Sequence, residues 1–407
     1  MIRMFESAAI RMPGLIGDRL DFGRVLEAML YYGRVHLVMD VGFFIGAYQQ
    51  LGASRLEALL KHDLITADVT PEFAGVVGNS TNGVVTHTPV FARFAGNEQK
   101  RIAHDDISGI LTGMLKRGDP LVTRKDVDKI LRHARPTEYK KILGSEAQAQ
   151  DIFKSLAEDS TTLKLFAEAA VNQAAANAKW HQIQAADIRG IHLEGGGITI
   201  ISPGEPAELA GLQGKNVTWS SVLAKLNDYA IDLHLARKYS SDVISSPEVA
   251  SVADKRLDLS LNRASRNSER IHAFEEAVFG NASYFGGAFN DGNISFDDAL
   301  KVIDKSRKFR QWSSSLPPDA NLIHEYHTAL ARETTLGSLP GSIARFSFFT
   351  GTGVLVDAVM GSGGLGTTTG LGLSVFDSFV LDRITKGWRP NVFVENVTRA
   401  VQRHWNR

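Results

Sequence analysis

The sequence predicts an α+β fold that is predominantly helical, with a mixed α/β segment at its N-terminal end. Two kinds of pattern support this prediction. Apolar and polar residues alternate in residues 34–40 and on both sides of Asn82-Gly83, as they do in strands. Helical spacing dominates residues 121–240, and residues 241–407 combine helical segments with Gly-rich joints. We therefore expect three domains, with boundaries near residues 120 and 240.

The first domain, residues 1–120, is predicted to run in the order α-β-α-α-β-β. Residues 21–31 carry apolar side chains at helical spacing, and the strand of residues 34–40 follows them. Two short helices come next, separated at Gly52. Asn-Gly favours the tight turn of a β-hairpin, so Asn82-Gly83 predicts a hairpin between the two apolar runs around it.

The second domain, residues 121–240, is predicted to be mainly helical with a small β-hairpin at 187–202. Thr123 followed three residues later by Asp126 is typical of a capping box, which opens a helix. The hairpin is indicated by two β-rich runs on either side of three consecutive glycines.

The third domain, residues 241–407, is predicted to be helical. Ser295 with Asp298 indicates the N-terminus of a helix. Residues 346–381 form a 36-residue segment with eight glycines and only two charged groups, Asp357 and Asp377. Its two apolar arms and the glycine tract between them predict a Gly-rich apolar helical hairpin.

This hairpin permits two interpretations. Each arm has roughly 12 to 15 residues, too short to cross a hydrocarbon core of about 30 Å as a helix. The hairpin is either buried in the soluble fold, or stored there and released to a membrane or a partner subunit. A role of its Gly-Thr tract in binding a ligand is a further alternative. The side chains predicted to contact a membrane or partner are Phe346, Phe348, Phe349, Leu355, Phe376, Phe379 and Trp388.

The tail that follows is basic. Residues 383–407 contain six Lys or Arg residues and one acid. Basic residues beside tryptophan suit the headgroup region of a membrane, whereas a solvated amphipathic helix and a contact to nucleic-acid phosphates are the alternatives. The predicted contacts to an anionic surface are Arg383, Lys386, Arg389, Arg399 and Arg403.

The amino-acid composition excludes some classes of function. Lys plus Arg equals Asp plus Glu at 45 each, so no global basic field for nucleic acid exists. The chain has no cysteine, which excludes disulfides and thiolate metal sites. The sequence shows no motif for a nucleotide or other cofactor, and we predict none. The expected location is the cytoplasm, including the periphery of a membrane.

Two weak patterns point to metal chemistry. Asp40 ends an apolar strand, a position where metal-dependent nucleases of the PIN type keep an acid. Its candidate partners are Glu57, Asp63, Asp105 and Asp106. His324 and His327 are three residues apart on a predicted helix, which places both on one face. Helix capping by the aspartates and a polar helix surface for the histidines are the simpler interpretations.

The functional hypothesis from sequence is a non-enzymatic interaction or effector protein that acts through assembly with a protein partner. It includes conditional membrane association through residues 346–389, as in a bacterial stress or defence component. One alternative is a metal-dependent hydrolase or nuclease that uses Asp40 and other N-terminal acids. The other is a nucleic-acid binder that uses the basic tail.

Overall fold

The computed structural model describes part of the 407-residue chain. The described residues are 5–12, 20–81, 84–93, 106–175, 187–193, 197–212, 217–239, 241–245, 249, 252, 267, 269–276, 285–316, 320–326, 348–349, 355–356, 393, 396–397 and 400.

A five-stranded parallel sheet organises the fold. Its strands are β1 (Ala8–Arg11), β2 (Val35–Met39), β3 (Ile65–Val69), β6 (Arg135–Pro136) and β9 (Asp242–Ile244). They lie in the order β6-β3-β2-β1-β9, and every pairing is parallel. The chain moves outward from β1 on one side and returns to its other side with β9. This reversal of strand order lies between β1 and β9.

A second, antiparallel sheet packs nearby. It consists of β4 (Glu72–Thr81), β5 (Val84–Arg93), β7 (Arg189–His192) and β8 (Ile198–Ile201), in the order β4-β5-β8-β7. Thr81 pairs with Val84, so β4 and β5 form the hairpin that Asn82-Gly83 predicts. The predicted hairpin at 187–202 is confirmed by the pairing of β7 with β8.

The helices lie on both faces of the parallel sheet. Their bounds are α1 (Phe22–Tyr31), α2 (Val41–Lys61), α3 (Ile107–Leu115), α4 (Arg124–Leu131), α5 (Tyr139–Leu143), α6 (Glu146–Glu158), α7 (Ser160–Ala174), α8 (Pro206–Leu209), α9 (Trp219–Tyr239), α10 (Phe285–Asn290), α11 (Phe296–Lys305) and α12 (Arg307–Ser313).

Side-chain alternation along the strands builds two cores. Paired residues of parallel strands in register point to the same face. Ile10 and Leu37 therefore face α1 and α2, in a core that also contains α11 and α12. Ala9 and Val38 point the other way, into a core built with α5, α6 and α9. The parallel sheet is thus covered on both sides, as parallel sheets require.

Two helices begin at the capping residues that the sequence predicts. Thr123 and Asp126 form a reciprocal capping box at the start of α4, and the Ser295 side chain accepts from the Asp298 backbone N–H at the start of α11. Gly52 bends α2, because its φ of 75° lies in the left-handed region that glycine adopts without strain.

The predicted fold class is confirmed: a mixed N-terminal α/β region is joined to a helical C-terminal part. The predicted order of the first domain omitted β1 and β3, so the parallel sheet itself was not foreseen. That sheet also takes strands from all three predicted domains, since β6 and β9 lie beyond residues 120 and 240.

The structure describes four residues of the predicted Gly-rich helical hairpin. At these four positions the predicted helix is wrong. Phe348–Phe349 and Leu355–Val356 pair as two short antiparallel strands. Phenylalanine and valine favour strands over helices, which accounts for the difference. The remaining positions of residues 346–381 lie outside the described residues.

Candidate functional site

The carboxyl ends of β1 and β9 are the expected ligand position in an open α/β sheet, because the strand order reverses there. Arg11 occupies this position and is only 1% exposed. Its Nε donates to Asp232 Oδ1 at 2.8 Å, and its Nη1 donates to Asp228 Oδ1 at 3.0 Å. Ser245 Oγ donates to the second oxygen of Asp232 at 2.5 Å. These side chains hydrogen-bond to one another, and the bonds from Arg11 to the two aspartates connect β1 to α9.

Asp40 lies at the carboxyl end of β2 and is 4% exposed. Its Oδ1 accepts from the Phe43 backbone N–H at 2.8 Å, so it is the N-cap of α2. The pKa of Asp40 is raised from 3.8 to about 6, mainly by burial. The negative charge of Asp228 acts in the same direction, while the backbone hydrogen bonds and Arg11 act in the opposite direction. The capping interpretation of Asp40 is therefore confirmed.

The acids considered as partners of Asp40 have other contacts. Glu57 pairs with a lysine of α4 at 2.7 Å, and Asp63 with the adjacent histidine at 3.1 Å. Asp106 caps α3 and binds an arginine of α4 through two 2.8 Å hydrogen bonds. Asp105 lies outside the described residues.

The predicted metal site at His324 and His327 gains no support from the described part of the chain. His324 is exposed, and its backbone N–H lies at the start of a short helical turn. His327 lies outside the described residues. Across the ranges that the structure describes, no group of three or more His, Asp or Glu side chains is arranged to hold a metal ion.

The basic tail is described at four positions only. Phe393 is buried and stacks on Phe309 with ring centroids 3.9 Å apart, and Val397 is also buried. This part of the tail therefore contributes to the main core. The predicted contact residues outside the described ranges are Phe346, Phe376, Phe379, Arg383, Lys386, Trp388, Arg389, Arg399 and Arg403.

An open cleft lies on the face of the parallel sheet that carries Ala9 and Val38. It extends from the amino ends of β1 and β2 along β3 to Arg135 of β6. Its volume is about 490 Å³, within the range of small-molecule sites. The C-terminal end of α9 closes one side, because α9 runs antiparallel to the strands. The polar residues that line it are Ser7, Arg34, His36, Thr66, Asp68, Arg135, Tyr239 and Ser241.

Asp68 is the centre of this cleft and is 1% exposed. Arg135 binds it with both Nε and Nη2, each at 2.6 Å. The Tyr239 hydroxyl donates to Asp68 Oδ2 at 3.0 Å. Burial alone would raise the pKa of Asp68, but His36 and Arg135 hold it at about 2. Asp68 is therefore ionised at neutral pH, and the pKa of Arg135 is raised mainly by its hydrogen bonds to Asp68.

His36 lies between a hydroxyl and this carboxylate. Its Nδ1 is 2.8 Å from Thr66 Oγ1, and its Nε2 is 3.3 Å from Asp68 Oδ2. The second contact is misaligned for a hydrogen bond, so Nε2 keeps unused hydrogen-bonding capacity. The ring also packs on Tyr239 with centroids 4.4 Å apart. Because both ring nitrogens face protein groups, His36 is held in place rather than presented to a substrate.

The outer face of the second sheet is a separate candidate surface. Strand pairing places four apolar residues on this face, which α6 and α9 do not cover. Their exposed fractions are 44% for Val77, 47% for Val84, 43% for Ile191 and 52% for Ile201. Among the described residues of this face, only Arg189 is charged. The uncharged polar residues of the same face are Asn79, Thr81, Thr86, Thr88 and Thr199.

Sequence reasoning missed the cleft, although a signal was present. His36 interrupts the apolar run of β2, and Thr66 and Asp68 interrupt β3 at every second residue. Polar residues at that spacing share one face of a strand. They indicate a polar surface on an otherwise buried sheet.

Among the helices that the structure describes, none combines the length and apolar character needed to cross a membrane. Comparisons with protein-family models, with curated proteins and with solved structures found no match to this chain.

Proposed function

We propose that this chain is a non-enzymatic interaction protein that acts through assembly, and that the outer face of the second sheet is its contact surface. The observation that carries the proposal is the group of four exposed apolar side chains on that face, Val77, Val84, Ile191 and Ile201. Val77 pairs with Thr88 and Val84 with Thr81, so Asn79 and Thr86 lie between these two valines on the face. Exposed apolar side chains among polar residues are typical of protein–protein contacts.

We further propose that the partner is a second copy of this chain. A symmetric dimer brings the same patch of both subunits together, so the patch must tolerate contact with itself. A face with Arg189 as its single described charge presents little like-charge repulsion. Moreover, β4 and β7 are the edge strands of this sheet, and edge strands can pair with another chain.

Photo-crosslinking tests this proposal. A photoreactive amino acid replaces Val77 in the full chain, and irradiation should give an adduct of twice the chain mass of 44.4 kDa. The matched control carries the same amino acid at Leu121, which is 86% exposed but lies away from the sheet. An adduct of any other mass would contradict the second copy, and equal adducts at both positions would contradict the surface.

A charge substitution gives an independent measurement. Val77→Glu should weaken self-association by at least about tenfold, because a carboxylate would be desolvated in the contact. Leu121→Glu adds the same charge elsewhere and should leave association unchanged. Sedimentation over a range of concentrations measures both. A wild-type chain that stays monomeric throughout would refute assembly through a second copy.

The membrane part of the hypothesis concerns residues 346–389 and rests on their sequence. The motivating pattern is a charge-poor, Gly-rich segment followed by basic residues around Trp388. Flotation with anionic liposomes, comparing the wild type with a deletion of residues 346–381, tests it. Equal recovery of both chains in the unbound fraction would contradict membrane association.

A nucleic-acid contact of the basic tail predicts a different result. Phosphate contacts release counterions, so affinity should fall steeply as salt rises. Titration of a DNA duplex at two salt concentrations distinguishes this alternative, since absence of binding at low salt would exclude it.

A further inference from the structure

We propose that the cleft beside the amino ends of β1 and β2 and along β3 binds a small molecule through an oxyanion group, a phosphate or a carboxylate. This proposal is independent of the assembly surface, since the cleft lies on the parallel sheet.

Two guanidinium groups give the cleft its charge. Arg34 lies at the amino end of β2, is exposed, and its side chain makes no hydrogen bond or ion pair with the described residues. Arg135 uses Nε and Nη2 to bind Asp68, while its Nη1 makes no hydrogen bond within the described part of the chain. Its side chain is 64% exposed, so this nitrogen is accessible. Guanidinium groups bind carboxylate and phosphate oxygens with matching geometry.

A buried hydroxyl adds an uncharged donor. Ser241 lines the cleft and is 4% exposed, yet its Oγ has no hydrogen-bond partner among the described residues. Buried hydroxyls are rarely left unpaired, because desolvation without a partner is unfavourable. The Oγ is enclosed, so a ligand oxygen reaches it only after a small rotation of the Ser241 side chain. The ligand oxygen would then accept from this hydroxyl and remove the penalty.

The same geometry disfavours a cation. Asp68 is the single carboxylate among the described residues that line the cleft, and both of its oxygens are bound by Arg135. Oδ2 also accepts from the Tyr239 hydroxyl. Asp68 therefore orients the arginine and the tyrosine rather than presenting an oxygen to a ligand. Two arginines against one committed carboxylate favour an anionic ligand.

The cleft is a built site rather than a surface groove. Arg135, Tyr239 and His36 converge on one buried carboxylate, and the His36 ring is fixed further by Thr66. Arg135 is held in this way and loses little conformational entropy when a ligand binds, whereas the exposed Arg34 side chain is ordered by the ligand itself. Preorganisation of this kind is expected of a binding site.

Titration with two simple anions tests the proposal. Inorganic phosphate and succinate are titrated separately into the full chain, with ionic strength held constant by NaCl, and binding is followed by calorimetry. Saturable binding of either anion is expected, and the stronger of the two identifies the oxyanion. An absence of saturable heat with both anions would overturn the proposal.

Three variants locate the binding. Arg34→Gln should weaken binding on the order of tenfold, since a charged hydrogen bond is lost. Arg55→Gln removes an equally exposed arginine from α2 and should leave binding unchanged. Ser241→Ala should weaken binding about fivefold, the effect of one neutral hydrogen bond. Equal affinities of the Arg34 and Arg55 variants would place the anion elsewhere and refute the cleft.

The Ser241 variant also separates binding from folding. Because the hydroxyl has no described partner, its removal should not lower the unfolding midpoint of the ligand-free chain. A lower midpoint together with unchanged affinity would show that the hydroxyl serves the fold. That result would remove Ser241 from the site.

Discussion

Substitution of Asp40 by Asn should stabilise the protein, although Asp40 caps a helix. The Asn side-chain oxygen can accept from the Phe43 backbone N–H as the aspartate does, and Asn and Asp are equally good N-caps. What the substitution removes is a carboxylate whose pKa is raised from 3.8 to about 6, mainly by burial. At 1.36 kcal/mol per pKa unit, this difference corresponds to about 3 kcal/mol.

The size of the stabilisation depends on pH. The folded pKa of Asp40 lies above the unfolded value of 3.8, so its contribution to stability is fully present below pH 3.8 and is lost as pH rises through 6. We therefore expect Asp40→Asn to gain about 3 kcal/mol at pH 8 and about half of that at pH 5. These are upper values, since the structure can relax around the charge.

Urea unfolding at the two pH values measures this difference. Asp106→Asn is the matched control, because Asp106 also caps a helix but pairs with an arginine at 2.8 Å. The control should lose stability rather than gain it. An Asp40→Asn variant that is less stable at pH 8, or whose gain is the same at pH 5 and pH 8, would refute the reasoning.

Two further predictions concern packing. Arg11→Met should cost about 3–5 kcal/mol in urea unfolding, because it leaves two aspartates of α9 buried without their cation; a loss below about 1 kcal/mol would contradict this role. Gly23→Ala should cost about 1–3 kcal/mol, because the added Cβ would lie 2.2 Å from the Gly286 carbonyl oxygen. Gly113→Ala is its control in α3, where a Cβ meets nothing within 4 Å, and it should gain up to about 1 kcal/mol.

The elements predicted from sequence are those whose signals are local. The strand before Asp40 is a short apolar run, and Asn82-Gly83 specifies its own turn. Thr123 and Asp126, three residues apart, are enough to define a cap. Each of these patterns is complete within a few residues. Their confirmation follows from short-range sterics and hydrogen bonding.

The parallel sheet was missed because its signals are not local. β1 (Ala8–Arg11) has four residues, two of them alanine, which is depleted in strands. β3 (Ile65–Val69) contains Asp68, which is also unusual in a strand. Both strands are stabilised by pairing with β2 and by burial between helices. Neither effect is visible in the composition of a five-residue window.

The cleft was missed for a related reason. His36 and Asp68 approach each other only because β2 and β3 pair in a particular register. Arg135 lies in β6 and Tyr239 at the end of α9, both far from His36 and Asp68 in the sequence. The sequence shows that polar residues interrupt apolar strands, but the pairing register decides that they meet.

The position of β9 beside β1 has a consequence for how the chain reaches its fold during synthesis. Ala8 pairs with Asp242, so one edge of β1 stays without its partner until more than 230 residues have followed it. At roughly 5–20 residues per second, this interval is on the order of 10 to 50 s. During that time the Arg11 guanidinium also lacks its aspartates on α9. We expect the nascent chain to expose this edge throughout, and chaperones that shield unpaired strands to influence its yield.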